Sequence, residues 1–145
     1  MRFIHIADVH LGMQPDAGFP WSEERGEAIW ESFRRIIRLA GREKTDFLLI
    51  AGDLFDGTRV RARTVDALLA AIRRTPEVDY LYLPGNHDEA ANAFCDCALP
   101  QNLKKKKKKW TTYRYDGIAI SSAQLGLDAA FYESLPHTDG AVNLV

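Results

Sequence analysis

Three apolar runs each break off into a short polar motif, and that pattern constrains the fold of this chain more than any other feature. Phe3-Ile4-His5-Ile6-Ala7 leads into Asp8-Val9-His10. Phe47-Leu48-Leu49-Ile50-Ala51 leads into Gly52-Asp53, and Tyr80-Leu81-Tyr82-Leu83-Pro84 into Gly85-Asn86-His87-Asp88. Apolar runs of about five residues bounded by turn residues read as strands buried on both faces, the kind that parallel sheets use. Open α/β sheets place ligands at the carboxyl ends of such strands. Three strand ends that deliver carboxylate, imidazole and amide groups therefore predict one assembled metal site.

The segments between the runs supply the crossovers. Pro15 to Pro20, with Gly18, reads as a loop. Ser22 is placed to cap a helix whose first turn holds Glu23 and Glu24, where the helix dipole favours anions. Ile29, Phe33, Ile36, Ile37 and Ala40 follow at helical spacing, and Gly41 is the expected stop. A second helix is expected over Arg63–Arg74, with Val65, Leu68, Leu69 and Ile72 on its buried stripe. The order is βαβαβ, and right-handed crossovers would bring the three strand ends to one edge. Further on, Thr111–Tyr115 and Ile118–Ser122 flank Asp116-Gly117, a two-residue hairpin signal. A short helix is expected over Asp128–Ser134 and another buried strand over Ala141–Val145.

Composition narrows the class. With 145 residues, 46% of them hydrophobic, the chain is read as one domain, large enough for a real core. Its apolar runs are far too short to span a bilayer, and residues 1–7 form a strand rather than a secretory leader. Cys95 and Cys97 give no disulfide framework. The expectation is a soluble cytoplasmic protein with no membrane attachment. Net charge is −1, but the run Lys104–Lys109 supplies six of the 19 basic residues. Without it the chain is acidic and has no net basic footprint for nucleic acid. The run itself is read as a solvated segment, with grip on DNA phosphates as the alternative.

The motifs suit a pair of divalent cations. Such ions take carboxylate oxygens, with imidazole added for Mn, Fe or Zn. Asp8 and His10, two apart where a strand breaks, can turn toward one metal. Asp53 follows Gly52, which permits a sharp turn, and a carboxylate there can bridge two metals about 3.5–4 Å apart. Asn86 offers a neutral oxygen. His87 is then a candidate acid or charge stabiliser rather than a ligand, with Asp88 as a candidate to orient its ring.

This combination resembles the calcineurin-like metallophosphoesterase superfamily, on Asp8-x-His10, Gly52-Asp53 and Gly85-Asn86-His87-Asp88. Within it, His5-Ile6-Ala7-Asp8-Val9-His10-Leu11-Gly12 and Ala51-Gly52-Asp53-Leu54-Phe55-Asp56 are similar to the SbcD-type DNA repair exonucleases. The resemblance covers residues 1–94 closely and the rest weakly. It implies an α/β metallophosphoesterase sandwich that begins βαβαβ and has a β-hairpin in its second half. It implies Asp8, His10 and Asp53 around one metal, Asp53 and Asn86 around the other, and His87 as the catalytic histidine. It also implies two Mn²⁺ ions (Fe, Zn or Mg being the other metals considered), phosphodiester hydrolysis in DNA and an SMC-like ATPase partner; a homodimer is also considered, although the sequence does not reveal oligomeric state. The family's later motifs, a histidine after a further strand and a Gly-His-x-His, have no counterpart before Val145. Residues 1–145 are therefore expected to be the N-terminal part of a longer catalytic domain. The alternatives left open are a phosphoesterase for a cyclic nucleotide or phosphoprotein, and a non-catalytic binding module that keeps the fold.

The remaining chemistry-bearing residues receive plainer readings. Cys95-x-Cys97 lacks zinc-site spacing and is read as free thiols. His5 is read as a satisfied strand histidine and His137, in Pro136-His137-Thr138-Asp139-Gly140, as a surface one. Arg59, Arg61 and Arg63 are read as a solvated loop and helix start, with DNA backbone contact as the alternative. Phe19 and Trp21 are read as packed loop anchors, with stacking on a base as the alternative.

Overall fold

β1 (Phe3–Ile6), β2 (Phe47–Ala51) and β3 (Asp79–Leu83) lie side by side in parallel, joined by α1 (Ser22–Arg42) and α2 (Ala62–Arg73). The computed structural model describes residues 1–57, 60–85, 88, 94, 97–105, 111–115, 117–122 and 129–144. The chain forms two compact units, Met1–Lys104 and Lys105–Val145. The first is the α/β unit expected from the runs, and β4 (Leu103–Lys105) completes its sheet in the order β1-β2-β3-β4.

Strand alternation decides what the helices cover. The residues Ile4, Ile6, Leu48, Ile50, Tyr80 and Tyr82 face one core, and α1 adds Phe33, Ile37 and Ala40 to it. From α2 come Val65, Leu68, Leu69 and Ile72, all buried, which is the stripe the periodicity predicts. Each such side chain taken from water contributes roughly 1.5–3 kcal/mol. Register places Phe3 beside Phe47 and His5 beside Leu49 on the other face. Phe47 is fully buried, and Phe3 stacks on it with ring centroids 5.1 Å apart.

Several expectations are corrected here. β2 and β3 are buried along most of their length, but β1 is not: Phe3 is 45% exposed and His5 also faces solvent. Among the described residues β1 pairs only with β2, so its apolar side chains have neighbours on one flank alone. His5 is accordingly an exposed residue and not an enclosed strand histidine. Ser22 is the first residue of α1 rather than its cap; Trp21 holds the cap position, without a side-chain hydrogen bond. Gly41 does not stop α1, which runs one residue further. A Cβ at position 41 would stand 2.9 Å from Thr75 Cγ2, so the glycine serves close packing, and Lys44 takes the left-handed turn with φ 52°.

The start of the lysine run is part of a strand rather than a solvated loop. Lys104 and Lys105 lie in β4, Leu103 is buried beside them, and Lys104 Nζ pairs with the Asp79 carboxylate. Lys106–Lys109 lie outside the described residues. Just before β4, the Asn102 side-chain amide donates to the Thr75 and Val78 carbonyls, both at 3.0 Å, and fastens the end of α2.

The second unit holds β5 (Thr111–Tyr115), β6 (Ile118–Ser122) and β7 (Val142–Leu144) in one sheet. β5 and β6 are the expected antiparallel hairpin, with Gly117 at φ 72°. Asp116 lies outside the described residues. A short helix covers Ala129–Glu133, and β7 pairs in parallel with β6. β7 is an edge strand with Val142 59% exposed, not a buried one, because among the described residues it too has a neighbour on one side only. Exposed His137 lies 3.1 Å from Asp139, as a surface histidine would. Cys97 is a free, half-buried thiol packed against the first unit's core, and Cys95 lies outside the described residues. Among the described residues no helix is long and apolar enough to cross a membrane.

Candidate metal centre

At the carboxyl edge of the parallel sheet the strands stop but the backbone ladder continues. Asp8 N–H donates to the Gly52 carbonyl (3.3 Å), His10 N–H to Asp53 (3.0 Å) and Leu11 N–H to Leu54 (2.8 Å). Asp56 N–H returns a bond to Leu11 (3.3 Å), and Gly52 N–H reaches the Leu83 carbonyl (2.9 Å). Leu11, Leu54 and Phe55 are buried beneath these bonds and pin the two loops to the core. The apolar positions inside the polar motifs are thus anchors, which frees the polar ones to project.

Three of the four predicted ligands share one backbone feature. Asp8 (φ 52°), His10 (φ 52°) and Asp53 (φ 45°) all adopt the left-handed conformation. Non-glycine residues seldom do so, Asp and His more often than most. Each departure turns a side chain out of the strand's alternation, and the result is convergence. Asp8, His10 and Asp53 each offer a ligand atom, and these atoms lie within 4.8 Å of one another. Asp8 is exposed, while His10 and Asp53 are half-buried. Gly52, at φ 82°, makes the turn before Asp53 that the sequence predicted. Two carboxylates and an imidazole form a donor set suited to a divalent transition metal.

Glycine at position 85 lets the third loop close on the second. A Cβ there would stand 2.5 Å from Asp53 N and 2.9 Å from its Cγ. The loops are also clasped by Asp88, whose carboxylate is buried. Its Oδ2 accepts from Leu54 N–H (3.0 Å) and Gly85 N–H (3.0 Å), and its Oδ1 from Phe55 N–H (2.8 Å). Burial holds the Tyr82 hydroxyl protonated far above its usual range, and the Asp88 carboxylate that accepts its hydrogen bond adds to the effect, as does the charge of Asp53. Asp88 therefore serves the backbone on both sides of Asp53, among the described residues. Asn86 and His87 lie outside the described residues.

Two contributors were not legible beforehand. Asp56 Oδ1 stands 3.6 Å from His10 Nδ1, too long for a direct hydrogen bond but close enough for its charge to bias the ring. Its signal was faint: a third carboxylate a few residues past Asp53. Tyr82 was hidden inside an apolar run, where only its hydroxyl could have hinted at a polar partner.

The model of the calcineurin-like phosphoesterase family matches residues 1–136. A DNA double-strand break repair protein Mre11 from Aeropyrum pernix is 35% identical over 89 residues, 60% of this chain and 21% of the relative. That of Archaeoglobus fulgidus is 34% identical over 105 residues, 71% of this chain and 23% of the relative. A subunit of the SbcCD nuclease of Rhodobacter capsulatus is 35% identical over 94 residues, 62% of this chain and 22% of the relative. The chain thus spans about a fifth of the length of these curated relatives.

Proposed function

This chain belongs to the calcineurin-like phosphoesterase family, and from that premise we propose that it is the N-terminal part of a metal-dependent nuclease that hydrolyses phosphodiester bonds in DNA during repair. The observation that carries the reading is the convergence of Asp8, His10 and Asp53 at one edge of the parallel sheet. The names of the Mre11 relatives, DNA double-strand break repair proteins, support DNA as the substrate.

In this reading Asp8, His10 and Asp53 would hold one divalent ion, and Asp53 with Asn86 the other. The ions, Mn²⁺ by family resemblance, would polarise the phosphate and make water acidic enough to attack near neutral pH. Asp56 biases the orientation of the His10 ring. Asp88 and Tyr82 position the loops that present Asp53. His87 gives a proton to the leaving oxygen. The Rhodobacter relative is named as a subunit, which supports an assembly with a partner; we assign that partner as an SMC-like ATPase. A homodimer and a cytoplasmic location complete the reading.

The test is a substrate panel with Mn²⁺ on the full-length protein: linear DNA, a cyclic nucleotide and a phosphopeptide. DNA should be cut, and both chelation and Asp53→Asn should remove nearly all turnover, because a shared carboxylate holds the ions and sets their spacing. Wild-type turnover in Asp53→Asn would sink the two-metal mechanism. Hydrolysis of the cyclic nucleotide or phosphopeptide but not DNA would overturn the substrate, and no hydrolysis of any would favour a binding module.

A further inference from the structure

The loop that leaves the metal centre ends in an aromatic pair that the core does not use. Phe19 and Trp21 stack with centroids 4.9 Å apart and planes 21° from parallel. They remain 57% and 46% exposed, so they are not the packed anchors that such residues usually provide. The pair is nonetheless held in place. Asp16 sits at φ 54°, and its Oδ2 accepts from Trp21 Nε1 (3.0 Å) and pairs with the Arg25 guanidinium. Phe19 N–H donates to the Asp16 carbonyl (3.0 Å), and Ser22 N–H to that of Phe19 (3.1 Å). A flat apolar surface already ordered in water loses little entropy when it binds.

A second observation lies on the same loop. Met13 and Gln14 line a cavity of about 350 Å³ whose wall also carries Arg34, Arg61 and Arg63. Arg59 lies outside the described residues. Arg34 is stacked over Trp30, 5.4 Å from the ring centroid. Arg61 and Arg63 stand at the start of α2, which has no acidic residue in its first turn and no side-chain cap. Glu23 and Glu27 line the same cavity, and the Arg34 guanidinium also lies 3.9 Å from the Glu31 carboxylate. The loop ties this cavity to the candidate ligands. Met13 N–H donates to the His10 carbonyl (3.0 Å), and the Met13 carbonyl lies against Gly26, within 3.1 Å of where a Cβ would be. Trp21 is only about 7 Å along α1 from Gly26.

We infer that this loop, with the first turns of α1 and α2, is a binding surface for an unpaired DNA strand leading to the metal centre, with a base stacked on Phe19 and Trp21 and backbone phosphates on Arg61 and Arg63. Every base has a π-face, so stacking tolerates any sequence but requires that the base be out of a duplex. An aromatic pair on the loop whose Met13 and Gln14 line a cavity that carries three arginines suits such a strand better than a protein partner, which would need a larger apolar patch than two rings. The inference rests on the nuclease reading and narrows its substrate to unpaired or frayed ends.

Binding is measured in EDTA, so that no hydrolysis intervenes, by fluorescence anisotropy of a labelled oligo(dT) strand and of a blunt duplex of equal length. Phe19→Ala should weaken oligo(dT) binding roughly 5- to 150-fold, the worth of one stacked base, and leave the duplex nearly unchanged. Phe19→Tyr should bind as the parent does. Arg61→Gln and Arg63→Gln should each flatten the salt dependence by about one phosphate contact. Parent-like oligo(dT) affinity in Phe19→Ala, an equal loss on strand and duplex, or no affinity of the parent for oligo(dT) would each overturn the assignment. Cleavage of DNA with Mn²⁺ by a protein whose Phe19→Ala variant binds normally would refute the platform and leave the nuclease reading standing. Stacking without cleavage would do the reverse.

Discussion

Replacing Asp88 by Asn separates a loop clasp from a catalytic helper. The carboxylate accepts three backbone amides, two on Oδ2 and one on Oδ1. An Asn side chain offers one acceptor oxygen and two N–H donors. Its better orientation keeps the oxygen at the Oδ2 site and turns the NH₂ group against Phe55 N–H, a donor facing a donor. A hydrogen bond to a charged group is worth about 1.5–3 kcal/mol, and a buried amide left unpaired costs about 1–3 kcal/mol. The two retained bonds also weaken when the charge is gone. The expected loss is about 3–5 kcal/mol, a large share of the roughly 5–15 kcal/mol that holds a domain together. Denaturant unfolding of Asp88→Asn beside the parent reads this as a lower midpoint at unchanged slope. Calorimetric titration with Mn²⁺ should also show weaker binding, since Leu54 and Phe55 follow Asp53 directly. A stability loss below about 1 kcal/mol would mean that the loops hold without the clasp. Normal stability and metal affinity with lost turnover would return Asp88 to the task of orienting His87.

Gly85→Ala should lower stability by about 1–3 kcal/mol and Mn²⁺ affinity by about tenfold or more, because the new methyl meets the Asp53 backbone nitrogen as well as its carboxylate; denaturant melts and metal titration check it. In the full-length protein His87→Ala should leave metal content intact and reduce turnover by about 10²–10⁴, the span for a general acid; loss of metal by elemental analysis would make it a ligand instead. Asp8→Gly should raise metal-free stability by up to about 1 kcal/mol, since glycine tolerates φ 52°, while abolishing the rise in Tm that Mn²⁺ gives the parent.

Much of the first unit was legible because each signal was local. Ile50 and Gly52, or Val65 and Leu68, declare strand, turn and helix stripe by their own spacing. What was not legible depends on neighbours distant in sequence. Nothing in Phe3-Ile4-His5-Ile6 says that β1 has one paired flank, and nothing near Gly41 announces Thr75 across the gap. Lys104 reads as solvent-exposed until Asp79 appears beside it. The grouping of Asp8, His10 and Asp53 was signalled by their places at strand ends. Their shared left-handed backbone was not, since Asp-x-His is compatible with many turns. Asp88 was the hardest case. A carboxylate after a histidine suggests a ring partner, and only the fold reveals that its acceptors meet the amides of residues 54, 55 and 85.

The strain in the trio has a physical meaning. A non-glycine residue in the left-handed region costs about 1 kcal/mol or more, so Asp8, His10 and Asp53 together oppose folding by several kcal/mol. Their carboxylates add to it. Two like charges no more than 4.8 Å apart repel by about 3.5 kcal/mol or more at an effective dielectric of 20, and by less where water reaches Asp8. The bonds that hold this arrangement are close by: the backbone ladder from Asp8 to Asp56, the Asp88 clasp, and the burial of Leu11, Leu54 and Phe55. A cation among the donors changes the sign of the electrostatic part, because each carboxylate then attracts a shared charge. A turn that only had to reverse the chain would carry glycine or asparagine, as Gly52 does one residue before Asp53. Keeping Asp, His and Asp at three strained positions gives up backbone stability for side chains that reach one point.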